Sequence, residues 1–185
     1  MKKIKKIIKN FLDLQIYCIA LDERKENMKE VFKIFGFLDV IFINPILKDS
    51  LNIDQLIKEG KLHPDYDSSF INNGRIACHL SHLKTLQTFL TNSTKDNCLI
   101  FEDDIDSSLT NIGKLHNNLM LILTYVPSDF DIINLGRCWD ECNKDKIIKI
   151  IPGNFNIVVS YSPCCRHSCI VNKKGAQKIS NLALP

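Results

Sequence analysis

CLIFEDD, residues 98–104, is a short apolar run that ends abruptly in three adjacent carboxylates. In an open α/β sheet, ligands bind outside the carboxyl ends of the strands. Three acids at such a strand end repel one another, and a hard divalent cation with phosphate oxygens on its far side would relieve that repulsion. The run therefore predicts a buried strand that ends at a ligand site. The alternative interpretation is a solvated acidic turn behind a buried strand.

Strands and helices alternate upstream of this run. Gln15–Leu21 is a continuous apolar segment typical of a central parallel strand. A helical pattern over Asp22–Phe35 ends at Gly36, and a second apolar strand follows at Leu38–Ile43. Strand, helix and strand in this order predict the opening of a right-handed βαβ unit.

The alternation continues downstream and predicts one α/β domain with a mostly parallel central sheet. Ile147–Ile151 and Asn156–Tyr161 predict strands of a smaller, partly antiparallel region. Ser168–Val171 leads into a last helix that Asn172 is expected to cap. The other predicted elements are helices at 50–61, 76–90, 111–125 and 173–184 and a strand at 131–135.

Length and charge limit the functional classes. The chain has 185 residues and a net charge of +3, and five lysines fall within its first nine residues. We therefore expect a basic tail at 1–12 and a single, slightly acidic domain at 13–185, which does not favour nucleic acid as a partner. No segment approaches the roughly 18 uncharged residues of a membrane span. The first apolar run lacks a small-residue cleavage site, which favours a cytoplasmic protein.

The eight cysteines fall into an early and a late group. Cys18, Cys78 and Cys98 lie inside apolar runs and are expected to be small core residues. The late group comprises Cys138, Cys142, Cys164, Cys165 and Cys169.

Three interpretations of the late group stay open. A zinc site would use Cys138, Cys142, Cys165 and His167. Disulfides that join Cys138 or Cys142 to Cys164 or Cys165 would staple a loop if the protein reaches an oxidising compartment. Inert thiols are the third interpretation.

Four segments, taken in order, resemble the motifs of one enzyme family. Residues 73–83, NGRIACHLSHL, are similar to its Gly-Glu-x-(Gly/Ala)-Cys-x-x-Ser-His helix start, and residues 99–105, LIFEDDI, to its Glu-Asp-Asp motif. Residues 131–136, DIINLG, resemble its Asp-x-(Ile/Leu)-x-Leu-Gly strand, and residues 166–176 its late His-x-Tyr and Gly-Ala segments. Together the segments resemble glycosyltransferase family 25, which includes lipooligosaccharide and collagen galactosyltransferases.

The resemblance implies a GT-A-type, Rossmann-like fold and an inverting transfer from a UDP-sugar donor. Mn²⁺ or Mg²⁺ would be held by Asp104, with help from Asp103 or Glu102, and would face the diphosphate leaving group. Glu102 or Asp103 would face the ribose, and Asp103 and Asp104 are the expected catalytic residues. Asp106 is an alternative metal ligand, because Asp104-x-Asp106 also presents two carboxylates.

Three further residues are expected at the donor site. Ser81 and His82 lie one turn into a helix whose start would face the donor, although a buried pair that ties this helix to its neighbours explains them equally well. Arg137 directly follows a strand and Gly136, and is expected in a donor or acceptor pocket.

An inverting transfer also needs a general base. Asp129 and Asp131 are the available candidates, because the sequence reaches Pro185 before the family's later acidic motif, as in a truncated or short member. The leading hypothesis is transfer of galactose or glucose to a glycan or to a hydroxylated side chain, so that the acceptor is a glycan or a glycoprotein. A catalytically silent nucleotide-sugar-binding or interaction domain and a metal-dependent phosphohydrolase are the alternatives.

Overall fold

A central sheet with helices on both faces organises the chain. The computed structural model describes residues 13–37, 39–66, 69, 71–105, 112–136, 141–153, 155–161, 165 and 167–181. The strands are β1 (Leu14–Ile19), β2 (Val40–Ile43), β3 (Asn97–Glu102), β4 (Ile132–Asn134), β5 (Lys146–Ile151), β6 (Phe155–Val159) and β7 (Ser168–Asn172). The α-helices are α1 (Lys25–Ile34), α2 (Ile53–Lys58), α3 (Asn73–Asn92), α4 (Ile112–Tyr125) and α5 (Lys173–Ser180).

The strand order of the central sheet is β2-β1-β3-β7-β4. β1 pairs in parallel with β2 and β3, whereas β7 is antiparallel to both β3 and β4. Four strands therefore point the same way, and β7 points against them. The ends of β1, β3 and β4 consequently meet the start of β7 at one edge of the sheet, which we call the C-terminal edge.

Alternate residues of β3 pack on opposite faces of the sheet, as the pleat requires. Leu99 and Phe101 join a core with residues of α1 and α4. Cys98 and Ile100 join a second core with Phe89 of α3 and with a residue of α5. Because both faces are covered, β3 is buried along its apolar length, and its acidic end lies at the C-terminal edge.

The predicted α/β class, the mostly parallel central sheet and the smaller antiparallel sheet of β5 and β6 are confirmed, and the architecture is consistent with a GT-A-like fold. Several bounds differ from the sequence-based expectation, most clearly in the first two helices. The helix predicted from Asp22 begins with a 3₁₀ turn at Asp22–Arg24, and the short helix expected at 50–61 is confined to α2. None of the helices in the described part of the chain is both long and apolar enough to span a membrane.

One core prediction is wrong. Cys18 and Cys98 are fully buried, but Cys78 is exposed. The apolar residues Ile76 and Leu80 of α3 pack against α2, α5 and the neighbouring loops. Cys78 lies on a different side of the helix, toward the end of β3. An apolar neighbourhood in sequence therefore did not determine the direction of this side chain.

Candidate functional site

The three acids that end β3 have different surroundings. Asp103 accepts hydrogen bonds from the backbone N–H of Leu21 at 2.9 Å and from Nη1 of Arg24 at 3.1 Å. One bond reaches each carboxylate oxygen, and the side chain is mostly buried. Asp103 thus ties the segment that follows β1 to the end of β3.

Glu102 and Asp104 face a histidine that enters from β7. His167 Nδ1 lies 2.9 Å from Asp104 Oδ2 and 3.7 Å from Glu102 Oε2. The backbone fixes this approach, because the carbonyl of His167 accepts a hydrogen bond from the Glu102 N–H at 3.1 Å. One ligand atom from each of Glu102, Asp104 and His167 lies within 4.8 Å of the others. We call these three residues the carboxylate–histidine group.

The other oxygen of Glu102 contacts helix α3. His82 Nε2 lies 2.8 Å from Glu102 Oε1, and Cys78 Sγ lies 3.6 Å from the same oxygen. Cys78 and His82 are four residues apart, so they lie on one face of the helix. The hydrogen bond from His82 lowers the pKa of Glu102 against the opposing effect of burial, and the charges of His82 and His167 add to it. Glu102 is therefore a carboxylate at neutral pH.

The side chain of Ser81 bonds backbone groups and does not point to the acids at the C-terminal edge. Its Oγ accepts a hydrogen bond from the N–H of Ile46 at 2.8 Å and donates one to the carbonyl of Ala77 at 2.7 Å. Ser81 and His82 are both buried. The two residues therefore tie α3 to its neighbours: Ser81 bonds the loop after β2, and His82 bonds the end of β3.

The donor atoms of the carboxylate–histidine group fit a divalent cation. Two carboxylates supply hard oxygen ligands, which Mg²⁺ and Mn²⁺ prefer, and an imidazole is a common additional ligand. The side chains of Asp104 and His167 are 46% and 43% exposed, so a cation at this position would be open to further ligands. The residues present are therefore suited to hold the metal that the sequence led us to expect.

A cavity of about 540 Å³ adjoins this group. Asp104, His167 and Ser168 contribute its polar side. The other walls are apolar. They come from β3, α4, β6 and the segments that follow α1, β3 and β4, and they include Phe35, Phe37, Phe101, Ile105, Leu119, Ile122, Leu135 and Phe155. Its volume is in the range of small-molecule sites.

The expected bases lie at the other edge of the sheet. Asp131 immediately precedes β4, pairs with Lys178 of α5, and lies 3.9 Å from Lys174 Nζ, and these lysines lower its pKa. Asp129 is exposed two residues earlier. β4 lies between both carboxylates and the C-terminal edge, and their role as the general base stays a prediction.

Two predicted site residues, Asp106 and Arg137, lie outside the described residues. Conversely, His167 was expected only as a ligand of the zinc site with the late cysteines, and not beside the acids of β3. The signal was in the sequence, where a histidine precedes an apolar segment. Its relevance depends on an antiparallel β7 beside β3, which places a strand start next to a strand end.

The late cysteines do not form the zinc site considered above. Cys165 is disulfide-bonded, so its sulfur is not available as a thiolate ligand, whereas Cys142 and Cys169 are thiols. The partner of Cys165 lies outside the described residues. Because that partner is not described, the stapling interpretation stays a prediction.

Residues 13–184 match the family model described as glycosyltransferase family 25 (LPS biosynthesis protein). No curated protein matches the chain.

Proposed function

The chain belongs to glycosyltransferase family 25, and from this membership we propose that it transfers a hexose, galactose or glucose, from a UDP-sugar to a hydroxyl group of a glycan or glycoprotein, with inversion and with a divalent metal. The observation that carries the proposal is the carboxylate–histidine group at the C-terminal edge. Ligands of open α/β sheets bind at this edge, outside the strand ends.

The charge of the leaving group explains why such a cluster is needed. When the bond between the sugar and the nucleoside diphosphate breaks, negative charge builds on the diphosphate, and two carboxylates alone would repel it. Mn²⁺ or Mg²⁺ held by Glu102, Asp104 and His167 would neutralise that charge. His82 contributes by keeping Glu102 ionised and fixed in orientation.

Asp103 has a positioning role in this proposal. Its contacts with Leu21 and Arg24 fix the turn that presents Asp104. The adjoining cavity offers space for an organic ligand next to Asp104 and His167.

Isothermal titration of UDP, UDP-galactose and UDP-glucose tests the donor site. We expect binding in the presence of Mn²⁺, loss of binding with a chelator, and loss of the Mn²⁺-dependent binding in Asp104→Ala. Asp129→Ala is the matched control, since this exposed carboxylate lies at the opposite edge, and it should bind like the wild type. Absence of binding to every nucleotide with Mn²⁺ would contradict the proposal.

Turnover distinguishes the transferase from its two alternatives. A transferase releases UDP from the preferred UDP-sugar, and the release increases when a hydroxylated acceptor is supplied. A silent binding domain would bind the donor in the titration without releasing UDP. A phosphohydrolase would release inorganic phosphate from simple phosphate esters without any acceptor, and membership of family 25 argues against that activity.

A further inference from the structure

A second group of metal-binding side chains adjoins the first and contains sulfur. Cys78 Sγ and His82 Nε2 approach the same oxygen of Glu102, at 3.6 Å and 2.8 Å. One ligand atom from each of the three residues lies within 4.8 Å of the others. Cys78 is exposed, His82 is buried, and Glu102 is half-buried, so solvent reaches the group from the cysteine side.

Two of the three separations can be compared with those of a tetrahedral zinc site. Zn–S, Zn–N and Zn–O bonds of about 2.3, 2.05 and 2.1 Å place sulfur and oxygen about 3.6 Å apart and nitrogen and oxygen about 3.4 Å apart. The distance between Cys78 Sγ and Glu102 Oε1 already has the first value. The distance between His82 Nε2 and Glu102 Oε1 would need to open by roughly half an ångström, since a cation would replace the hydrogen-bonded proton.

We propose that Cys78, His82 and Glu102 form a second cation site, which takes a thiophilic divalent ion such as Zn²⁺. On binding, the Cys78 thiol releases its proton to solvent and coordinates as the thiolate, and His82 coordinates as a neutral imidazole. The exposed side of Cys78 leaves a fourth position for water. Helix α3 preorganises the site, because a cysteine and a histidine at i and i+4 project from one face.

Ligand chemistry separates this site from the carboxylate–histidine group. A thiolate selects soft or borderline ions, whereas two carboxylates with a histidine suit harder ones. The two sites share only Glu102, whose Oε1 faces α3 and whose Oε2 faces His167. A zinc ion held by Cys78 and His82 would therefore be joined to the neighbouring cation through a bridging carboxylate.

Titration with Co²⁺ in the absence of nucleotide tests the second site directly. Co²⁺ replaces Zn²⁺ in such sites, and a cobalt–thiolate bond gives a charge-transfer absorption band that oxygen and nitrogen ligands do not give. We expect this band in the wild type and its displacement by Zn²⁺. Cys78→Ser should abolish the band and weaken Zn²⁺ binding by more than about tenfold.

Two control variants make the outcome decisive. Cys142→Ser removes another exposed cysteine and should keep the band, and Asp104→Ala disables only the carboxylate–histidine group and should keep it too. Thermal unfolding checks that Cys78→Ser is folded, as expected for an exposed position. A wild type without the band, a band that survives Cys78→Ser, or a band that disappears in Cys142→Ser would each overturn the proposal. Because no donor is present, the result is independent of the proposed transferase activity.

Discussion

Three consecutive acids at the end of β3 have different contacts because their side chains leave the chain in different directions. Glu102 faces α3 and β7, Asp103 faces the segment after β1, and Asp104 faces His167. The sequence places three carboxylates at a strand end, but it does not indicate which of them accept hydrogen bonds from other parts of the protein. That distinction follows from neighbours that lie about 80 residues away for Asp103 and about 60 for Asp104.

Asp103→Asn should reduce stability without removing the donor site. The substitution removes the charge that Arg24 and the Leu21 N–H contact, so we expect the free energy of unfolding to fall by about 1–2 kcal/mol. Mn²⁺-dependent UDP binding should stay within about threefold of the wild type. Denaturant unfolding and calorimetric titration measure the two effects.

Arg24→Ala is the control for the charged half of this contact. The arginine is half exposed, so its loss should reduce stability by less than about 1 kcal/mol. If Asp103→Asn abolished UDP binding as Asp104→Ala is expected to do, Asp103 would instead belong with the metal ligands.

Glu102 predicts a pH dependence of stability. Its pKa is lower in the folded protein than in the unfolded chain, chiefly through the hydrogen bond from His82. The resulting stabilisation is fully present above the ordinary glutamate pKa of about 4.3 and is lost as the pH falls through the lower folded value. In buffer with a chelator, the stability difference between the wild type and Glu102→Gln should therefore shrink as the pH falls below about 4.

Glu59→Gln is the matched control for this titration. The pKa of Glu59 is also lowered, by its contacts with Lys61 and Gln55, but this carboxylate is on the surface and is screened by solvent. The stability difference between the wild type and Glu59→Gln should therefore depend much less on pH. A difference for Glu102→Gln that does not change with pH would mean that His82 does not stabilise the carboxylate form.

At the scale of elements, an asparagine side chain caps the start of α2, of α3 and of α5. The side-chain oxygens of Asn52, Asn72 and Asn172 accept hydrogen bonds from the backbone N–H three residues later, at 3.0, 3.0 and 2.7 Å. The sequence predicted the cap at Asn172 correctly, since asparagine before an amphipathic segment is a local signal. Asn172 also bonds the carbonyl of Phe130 through its amide nitrogen.

Asn172→Ala should therefore destabilise the protein more than Asn52→Ala. Loss of a cap alone costs about 1 kcal/mol, and we expect roughly that value at exposed Asn52. At half-buried Asn172 we expect about 2 kcal/mol, because the Phe130 carbonyl also loses its partner. Equilibrium unfolding of both variants measures the difference, and equal losses would show that the bond to Phe130 contributes nothing.

Close packing explains the glycine in the first turn of α5, Gly175. A Cβ atom at Gly175 would lie 2.1 Å from the carbonyl oxygen of Asp131, and that oxygen belongs to the backbone before β4. Gly175→Ala must therefore displace the helix from the sheet, and we expect a loss of at least about 2 kcal/mol in unfolding free energy.

Gly74→Ala provides the comparison in another helix. There the added Cβ meets only a side-chain oxygen, that of Asn72, at 3.2 Å, so the change should stay within about 1 kcal/mol. Similar stabilities for Gly175→Ala and the wild type would mean that α5 does not pack against the Asp131 backbone.

The element that sequence reasoning did not place is β7. The apolar run at its centre was recognised, and so was the cap that follows it, because both are local patterns. Its insertion between β3 and β4 depends on pairing with residues about 75 and 40 positions earlier, for which the local pattern carries no signal. The position of His167 beside Glu102 was missed for the same reason, since only that insertion brings the two residues together.

For the whole molecule, the alternation of strands and helices was sufficient to predict the fold class and most elements. Helices cover both faces of a parallel sheet, so its strands are apolar and its helices amphipathic, and both patterns can be seen in the sequence. The apolar runs around Cys18 and Cys98 predicted their burial correctly, but the sequence did not predict the exposure of Cys78. Cys18, Cys98 and Cys169 lie within the central sheet and are at most 1% exposed, whereas Cys78 and Cys142 are exposed. We call these sets the sheet cysteines and the surface cysteines.

The sheet cysteines should report unfolding of the whole molecule through their reaction with an alkylating reagent. Alkylation requires the thiolate, and burial raises the pKa of Cys18 to about 12 and raises that of Cys98 further. Mass spectrometry of alkylated peptides should find the surface cysteines modified in the native protein and the sheet cysteines modified only through unfolding. Gly175→Ala should accelerate alkylation of the sheet cysteines by about tenfold for each 1.4 kcal/mol of unfolding free energy that is lost. The alkylation rate of the surface cysteines should not change. Sheet cysteines that react as fast as Cys78 in the wild type would mean that the sheet opens without global unfolding.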